Sequence, residues 1–247
     1  MNTDTLEKMR RMHLLGMHRA FKTSLETSHD HLTADEMVAM LIDSEWDDRH
    51  NRNIERSMRN ARFRYKASIE GVDYSSERGL DKNQLHRLGD GEFIGKKENI
   101  LITGPTGTGK SFLASAIGHQ ACQLGFKVLY AGSTRLFAQL KIAKADGSAI
   151  KEFMKIEKQD LLIIDDFGLQ PFDQQSRNCL LEIIEDRHGK RSTIITSQLP
   201  VKGWYDVIGE KTIADAIMDR IVHSAHRMEL KGESLRRKWN KKLTETN

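Results

Sequence analysis

The sequence is poor in proline, cysteine and aromatic side chains. Its 247 residues include 3 prolines and 2 cysteines, and Phe, Trp and Tyr make up only 6% of the chain. Because no proline precedes Pro105, nothing in the N-terminal part forces a helix to break. Cys122 and Cys179 lie within apolar helical patterns, so we expect neither a disulfide framework nor a zinc site.

Long apolar runs are also missing. No segment approaches the roughly 18–20 apolar residues of a membrane-spanning helix, and the polar N-terminal stretch does not resemble a secretory signal peptide. We therefore expect a cytoplasmic protein that does not enter a membrane. The length allows one α/β domain of about 150–170 residues with a smaller appendage. The net charge of +4 indicates an acidic partner only weakly.

Three parts of the chain differ in pattern, and we predict a domain boundary at each change. Residues 1–70 have the pattern of a helical N-terminal domain, in which Thr33 and Glu36 form a capping box. Residues 71–97 contain five glycines and are predicted to be a linker that docks on the following domain. Residues 98–247 alternate between strand and helix patterns.

This alternation predicts the fold class. The candidate strands are residues 98–103, 127–132, 160–165, 192–197 and 226–230. A helix is expected from Asp173, with Gly189 ending it. Alternating β and α elements form a parallel sheet with right-handed crossovers, so we predict an α/β fold preceded by a small all-helical domain.

A glycine-rich segment carries the most specific chemical signal. It reads Gly104-Pro105-Thr106-Gly107-Thr108-Gly109-Lys110-Ser111, which fits the phosphate-binding pattern G-x-x-x-x-G-K-[ST]. A strand pattern precedes it and a helix pattern follows, which aims backbone N–H groups at a nucleoside triphosphate such as ATP. Lys110 is predicted to reach the β- and γ-phosphates and Ser111 to bind Mg²⁺. The alternative is a glycine-rich turn that fits the pattern by chance.

Two adjacent carboxylates end a buried strand pattern. Asp165 and Asp166 follow four apolar residues, and parallel sheets bind ligands at the carboxyl ends of their strands. Asp165 is suited to hold Mg²⁺, directly or through water. Asp166 is suited to orient or deprotonate an attacking water. A turn or helix cap is the alternative interpretation.

Further candidate residues lie downstream. Ser197, with Thr196 as second choice, ends another strand pattern where a hydroxyl can sense the γ-phosphate. Arg220 follows a predicted helix and is a candidate arginine finger for the site of a neighbouring subunit. Arg236 or Arg237 is a further candidate phosphate contact. The alternatives are a strand end satisfied by its own hydroxyls and arginines that are solvated at the surface.

The segment 49–66 is strongly basic, with seven arginine or lysine residues and one acidic residue. We expect an amphipathic helix that carries arginines on one face and extends its apolar face to Tyr65. The candidate DNA contacts are Arg49, Arg52, Arg56, Arg59 and Arg62. Arginine on a fixed face suits the phosphates of duplex DNA. The alternative is a solvated helix whose arginines pair with the acidic residues before them.

Together these segments resemble a known family. The order of phosphate loop, acidic strand, polar strand end and Arg220 is similar to that of AAA+ ATPases. More specifically, Thr196-Ser197-Gln198-Leu199-Pro200 and Leu230-Lys231-Gly232-Glu233-Ser234 resemble the IstB family, helper ATPases encoded beside a transposase in bacterial insertion sequences. Leu14-Leu15-Gly16-Met17 and the basic segment are similar too, so the resemblance covers nearly the whole chain.

The resemblance implies an ATPase whose DNA binding depends on ATP. It would assemble with copies of itself on duplex target DNA, bend this DNA, and recruit or stimulate a transposase. It implies ATP sites between protomers, in which Ser197 is the first sensor, Arg220 the finger and Arg236 the second sensor. Residues 98–247 would then be an AAA+ ATPase domain with a reduced lid and a basic C-terminal tail. Residues 1–70 would bind DNA and support assembly.

One departure from the AAA+ pattern affects the expected rate, and a second affects the sensor. The acidic strand ends Asp-Asp where the pattern has Asp-Glu, and the shorter side chain of Asp166 predicts slow, switch-like hydrolysis. Ser197 stands where many AAA+ proteins have asparagine.

Two other functions remain open from the sequence. A replicative helicase loader shares the ATPase core and acts on single-stranded DNA and a helicase. The basic segment offers only Phe63 and Tyr65 as stacking platforms for single strands, which disfavours the loader. A small-molecule kinase has no use for a strongly basic helix or for Arg220 acting in trans, so the helicase loader is the main alternative.

Overall fold

The computed structural model describes residues 2–27, 32–75 and 78–235. The chain divides into two compact units, and the boundary lies between Arg56 and Ser57. The first unit is built from helices, and the second contains the β-sheet. Among the residues described, no helix is both long enough and apolar enough to cross a membrane.

The N-terminal helices are α1 (Asn2–Arg11), α2 (Leu15–Thr27) and α3 (Ala34–Ala61). α3 begins where the sequence predicts. The backbone N–H of Thr33 donates to the Glu36 carboxylate at 2.8 Å, and the N–H of Glu36 donates to the Thr33 hydroxyl at 3.3 Å. This reciprocal pair confirms the predicted capping box.

A buried carboxylate joins α2 to α3. Glu45 of α3 accepts the backbone N–H groups of Gly16 at 2.8 Å and Met17 at 3.2 Å, both in the first turn of α2. A Cβ atom on Gly16 would lie 2.2 Å from the carbonyl oxygen of Ser44, so the close approach requires glycine. Burial opposes ionisation of Glu45, but hydrogen bonds from Arg49 and the two N–H groups outweigh it and lower the pKa of this carboxyl.

The basic helix is shorter than the sequence predicts. α3 ends at Ala61, and Arg62 takes a left-handed backbone φ of 58°. The prediction that the helical face continues to Tyr65 is therefore wrong. The physical reason is packing, because the Phe63 ring lies with its centroid 4.2 Å from that of His119. The half-buried Phe63 ring also packs against the core that contains α6, so the backbone turn at Arg62 is accompanied by an aromatic contact.

The second unit is built on a five-stranded parallel sheet. Its strands are β1 (Asn99–Thr103), β2 (Val128–Gly132), β3 (Leu161–Phe167), β4 (Ser192–Ser197) and β5 (Ala225–Glu229). They lie in the order β2-β3-β4-β1-β5, and every neighbouring pair is parallel. All five predicted strands are confirmed, and so is the α/β fold class.

Helices cover both faces of the sheet. They are α4 (Lys82–Gly89), α5 (Glu92–Gly95), α6 (Lys110–Gln123), α7 (Ser133–Ala145), α8 (Ala149–Glu157), α9 (Gln174–Arg187), α10 (Trp204–Ile208) and α11 (Lys211–Val222). The side chains of the strands alternate between two cores, one on each face of the sheet. Ile100 and Ile163 lie in the first core, with α4 and α6. Leu101 and Leu162 lie in the second core, with α7, α9 and α11. The helix predicted from Asp173 is confirmed as α9.

Residues 71–97 contain helices that their glycines concealed. α4 and α5 place Leu85, Leu88 and Phe93 in the first core. The side chain of Asp81 caps α4 by accepting the N–H of Asn83 at 2.8 Å. This segment therefore contributes directly to the core of the second unit.

The two cysteines are free and buried, one in each core. Burial raises the pKa of the Cys122 thiol to about 12. The thiol is thus protonated at neutral pH, which suits a packing role rather than a reactive one.

Candidate functional site

The glycine-rich loop follows the carboxyl end of β1 and leads into α6. Gly104, Gly107 and Gly109 have φ values of 145°, 84° and 88°, which L side chains rarely adopt. A Cβ atom on Gly104 would lie 2.3 Å from the carbonyl oxygen of Leu230. The motif therefore contains glycine where the backbone geometry requires it.

Hydrogen bonds hold the loop in shape. The Thr108 hydroxyl donates to the carbonyl of Pro105 at 2.8 Å, within the loop. The Thr106 hydroxyl donates to the side-chain oxygen of Gln198 at 2.6 Å, which joins the loop to the residue after β4. The loop is thus fixed relative to the edge of the sheet where β1 and β4 end.

Lys110 is folded back over the loop. Its Nζ donates to the carbonyl oxygens of Gly104 and Pro105, each at 2.8 Å. Burial lowers the pKa of this amine, and the neighbouring charges of Asp166 and Asp165 partly counteract it. An ammonium group beside the N-terminus of α6 is an arrangement that attracts a phosphate anion.

Asp165 is the centre of the site. It is 1% exposed and accepts the Ser111 hydroxyl at 2.8 Å. The hydroxyls of Tyr130 and Thr196 donate to it as well. Burial, followed by the hydrogen bond and charge of Asp165, raises the pKa of Tyr130, so its hydroxyl stays a donor. Three elements thus supply hydroxyl donors to one buried carboxylate.

Asp166 is brought to the same edge by a break in the strand pairing. The register of β3 against β4 shifts between Ile164 and Phe167, and Asp166 has a left-handed φ of 57°. Its backbone N–H donates to the Thr196 hydroxyl at 3.1 Å. Successive residues of a regular strand point to opposite faces, so the irregularity allows both carboxylates to serve one site. Aspartate tolerates this backbone conformation better than most residues.

Arg64 pairs with both carboxylates, a role that was not predicted from the sequence. Its Nη1 atom lies 3.0 Å from Oδ2 of Asp166 and 3.5 Å from Oδ2 of Asp165. In the sequence, the only local signal for this placement is that Arg64 lies between Phe63 and Tyr65. Tyr130 was missed as well, since nothing in the sequence marks its hydroxyl as a partner of Asp165.

The two sensor candidates differ in their contacts. The Ser197 hydroxyl donates to the carbonyl of Phe167 at 2.7 Å and accepts the N–H of Leu199 at 3.1 Å. The Thr196 hydroxyl contacts both acidic residues instead. The structure thus brings Thr196 into the acidic cluster, while Ser197 is engaged with the backbone.

Arg220 lies at the other end of the sheet from the loop of its own chain. It falls within α11, where the sequence predicted a position after a helix. The Asn99 side chain donates to its carbonyl at 3.4 Å, and Asn99 begins β1 whereas Gly104 follows its end. At about 3.3 Å per residue, these strand ends are separated by roughly 15 Å. The Arg220 guanidinium lies 3.3 Å from the Glu185 carboxylate.

The chain after β5 runs along the phosphate loop. The N–H of Leu235 donates to the carbonyl of Gly107 at 3.0 Å, and a Cβ atom on Gly107 would lie 2.2 Å from the Ser234 hydroxyl. Arg236, the predicted second sensor, lies outside the described residues. Arg78 supports the loop from behind: it is 5% exposed and donates to the carbonyl of Thr108.

The predicted DNA-contact arginines fall into two groups. Arg49 lies 2.7 Å from the Glu45 carboxylate and Arg52 lies 2.6 Å from the Asp48 carboxylate. These pairs match the alternative of a salt-bridged helix at that end of the segment. Arg49 is exposed despite its ion pair, and so are the three remaining candidates: Arg56, Arg59 and Arg62.

The donors at the loop suit a magnesium ion. The Ser111 hydroxyl and the Asp165 carboxylate, 2.8 Å apart, offer oxygen ligands, which Mg²⁺ prefers. Magnesium is usually bound by one or two carboxylates together with the phosphates of a nucleotide. The residues present therefore fit the metal that the phosphate-loop motif implies.

Comparison with protein families gives a match over nearly the whole chain. The family model described as IstB-like ATP binding protein matches residues 7–243. A putative insertion sequence ATP-binding protein, y4pL of Sinorhizobium fredii, is 46% identical over 96% of this chain and 98% of its own length. The insertion sequence IS21 putative ATP-binding protein of Pseudomonas aeruginosa is 30% identical over 84% of this chain and 78% of its own.

Solved structures share the fold. The crystal structure of DnaI has a TM-score of 0.58 and 22% identity, over 68% of this chain and 90% of that chain. AMPPCP-bound DnaA from Aquifex aeolicus has a TM-score of 0.56 and 20% identity, over 74% of this chain and 56% of that chain. At such low identity the likeness shows the fold alone.

The network around Asp165 generates a stability prediction. Tyr130→Phe removes one donor from a buried carboxylate, so we expect the free energy of unfolding to fall by about 1–3 kcal/mol. Urea unfolding of the nucleotide-free protein measures the change. Tyr205→Phe is the matched control, because Tyr205 is 42% exposed and its change should stay within about 0.5 kcal/mol. Equal losses in both variants would contradict this role for Tyr130.

Proposed function

The chain belongs to the IstB-like ATP-binding protein family, and we propose that it is an ATP-dependent DNA-binding helper ATPase of a bacterial insertion sequence. It binds Mg·ATP, assembles with copies of itself on duplex target DNA, bends the duplex, and recruits or stimulates the transposase of the same element. The observation that carries the nucleotide part is the hydrogen bond of 2.8 Å between Ser111 and Asp165 beside the phosphate loop.

This geometry supports the following nucleotide roles. Lys110 binds the β- and γ-phosphates by exchanging its present carbonyl partners for phosphate oxygens. Ser111 and Asp165 would hold a Mg²⁺ ion, which would neutralise charge on the phosphates. The glycines from Gly104 to Gly109 allow the backbone to approach the phosphates closely.

Asp166 is the proposed base for hydrolysis. Its backbone N–H donates a hydrogen bond to the Thr196 hydroxyl, which fixes the backbone. Its carboxylate is suited to orient a water molecule and accept a proton from it. Ser197 is the proposed first sensor, and its hydroxyl would have to leave the Phe167 carbonyl to reach a phosphate. The second candidate, Thr196, already contacts both acidic residues. The short side chain of Asp166 favours slow hydrolysis, which suits a switch that times assembly and release better than a motor.

Arg220 is proposed to act on the ATP of a second copy of the chain. Its position beside the start of β1 supports this, because the phosphate loop of the same chain follows the other end of that strand. An arginine supplied in trans stabilises the charge that develops on the transferred phosphoryl group. ATP sites between protomers would then couple nucleotide binding to assembly. Arg236 is proposed as the second sensor.

Duplex DNA is the proposed nucleic acid. The exposed arginines Arg56, Arg59 and Arg62 are suited to phosphate oxygens, which fix a protein on a duplex without reading its sequence. Arg49 and Arg52 would reach phosphates only by leaving their carboxylate partners. Bending is favoured when an assembly of protomers gains contacts that repay the cost of deforming the duplex.

Assembly is the first test. On a duplex of about 60 base pairs, roughly 200 Å long at ~3.4 Å per pair, mass photometry should show a large discrete complex that needs ATP and does not form with ADP. Lys110→Ala should abolish it, and Lys190→Ala, at an exposed position outside the site, should not. Assembly by the Lys110 variant would refute the phosphate-loop role, and binding only to single strands or to a helicase would favour a helicase loader.

The finger role predicts a specific defect. Arg220→Ala should keep nucleotide binding but lose hydrolysis in the assembled state by about 10³-fold or more. Lys211→Ala removes a charge from the first residue of the same helix and should leave turnover unchanged. Mixing the Arg220→Ala and Lys110→Ala proteins should restore part of the activity, because each supplies what the other lacks. Lost nucleotide binding in Arg220→Ala, or no recovery in the mixture, would rule out action in trans.

The DNA surface is tested through salt dependence. Arg56→Glu with Arg62→Glu should weaken binding to every duplex sequence and reduce the slope of log K against log salt by about 2. Lys151→Glu in α8 with Lys158→Glu, at the residue after that helix, makes the same change in net charge and serves as the control. If both double variants alter the slope equally, the effect is one of overall charge and the arginines are not contacts.

A further inference from the structure

The segment after α3 packs within the second unit through two aromatic side chains. The Phe63 ring centroid lies 4.2 Å from that of His119 and 6.2 Å from that of Tyr130. The Tyr65 ring lies 6.5 Å from that of Phe112. Each side of Arg64 is therefore fixed by ring contacts, which limits where the guanidinium between them can reach.

A glycine in α6 makes room for one of these rings. A Cβ atom on Gly118 would lie 2.5 Å from Cε1 of Phe63 and 2.8 Å from Cδ1 of Ile163. α6 is also the helix that begins at Lys110, directly after the phosphate loop. The contact that fixes Phe63 is thus built on the same rigid element as the candidate nucleotide site.

Arg64 and Lys110 together balance the charge of the two carboxylates. Arg64 lies 3.0 Å from Asp166 and 3.5 Å from Asp165, and its side chain remains 48% exposed. A buried carboxylate such as Asp165 is costly without a positive partner. A divalent cation at the same oxygens would repel the guanidinium, so the two cannot share the site at low cost.

We propose that Arg64 neutralises the Asp165–Asp166 pair in the metal-free protein, and that this ion pair breaks when Mg²⁺ binds the same carboxylates. This rests on the proposed function, in which Asp165 holds the metal. Arg64 belongs to the basic segment, so breaking its ion pair frees a guanidinium to bind another anion. Under the proposed function, that anion is a DNA phosphate near Arg62. By linkage, DNA that attracts Arg64 must then tighten the binding of Mg²⁺ with nucleotide.

The test measures Mg²⁺ dependence without DNA and without turnover. Full-length protein is titrated with Mg²⁺ in the presence of the fluorescent nucleotide mant-ADP. Arg64→Ala should lower the Mg²⁺ concentration for half-maximal binding by about tenfold, the scale of one charge-assisted hydrogen bond. Arg64→Lys keeps the charge and should stay close to the parent protein. Arg135→Ala, on the exposed side of α7, is the matched control and should match the parent.

Two results would overturn the inference. One is an unchanged Mg²⁺ dependence in Arg64→Ala when circular dichroism shows that it is folded. The other is weaker mant-ADP binding at every Mg²⁺ concentration, including in EDTA, which would make Arg64 a phosphate ligand. Failure of the proposed function looks different, because the parent protein itself would then not bind mant-ADP.

Discussion

The buried carboxylate of Asp165 is the constraint on which the site depends. It is almost fully enclosed, and an ionised group in that position requires donors from several directions. Ser111, Tyr130 and Thr196 supply hydroxyls from α6, β2 and β4. The strands β2 and β4 lie on either side of β3 in the sheet. The position of Asp165 therefore depends on the correct pairing of the sheet, and the loop before α6 is tied to the same point.

The acidic pair also shows how local irregularity serves the site. A regular β3 would direct one carboxylate away from the phosphate loop, because side chains alternate between faces. The register shift and the left-handed φ of Asp166 remove that alternation at one residue. A non-glycine residue in this conformation is strained by about 1–3 kcal/mol. The hydrogen bond to Thr196 and the ion pair with Arg64 are the interactions that hold it there.

The sequence predicted the parts whose signals are local. The alternation of strand and helix patterns marked all five strands. The phosphate loop was found from its glycine, lysine and serine pattern, and its glycines take positive φ values. α4 was missed because glycines on either side suggested a loop. The end of α3, the place of Arg64 and the hydroxyl of Tyr130 were not predictable. Each depends on a distant segment that the spacing does not reveal, as when Phe63 leaves the helix to pack at Gly118.

Charge balance offers a physical reason for the proposed nucleotide-dependent assembly. Within one chain, Lys110 and Arg64 match the two carboxylates, so the nucleotide-free site is close to neutral. A bound triphosphate adds more negative charge than one Mg²⁺ removes, and the charge of Lys110 is already matched by a carboxylate. Arg220 of the same chain lies beside the opposite end of β1 and cannot supply the difference. A second copy that presents its own Arg220 can, and under the proposed function ATP thereby favours the oligomer over the separate chain.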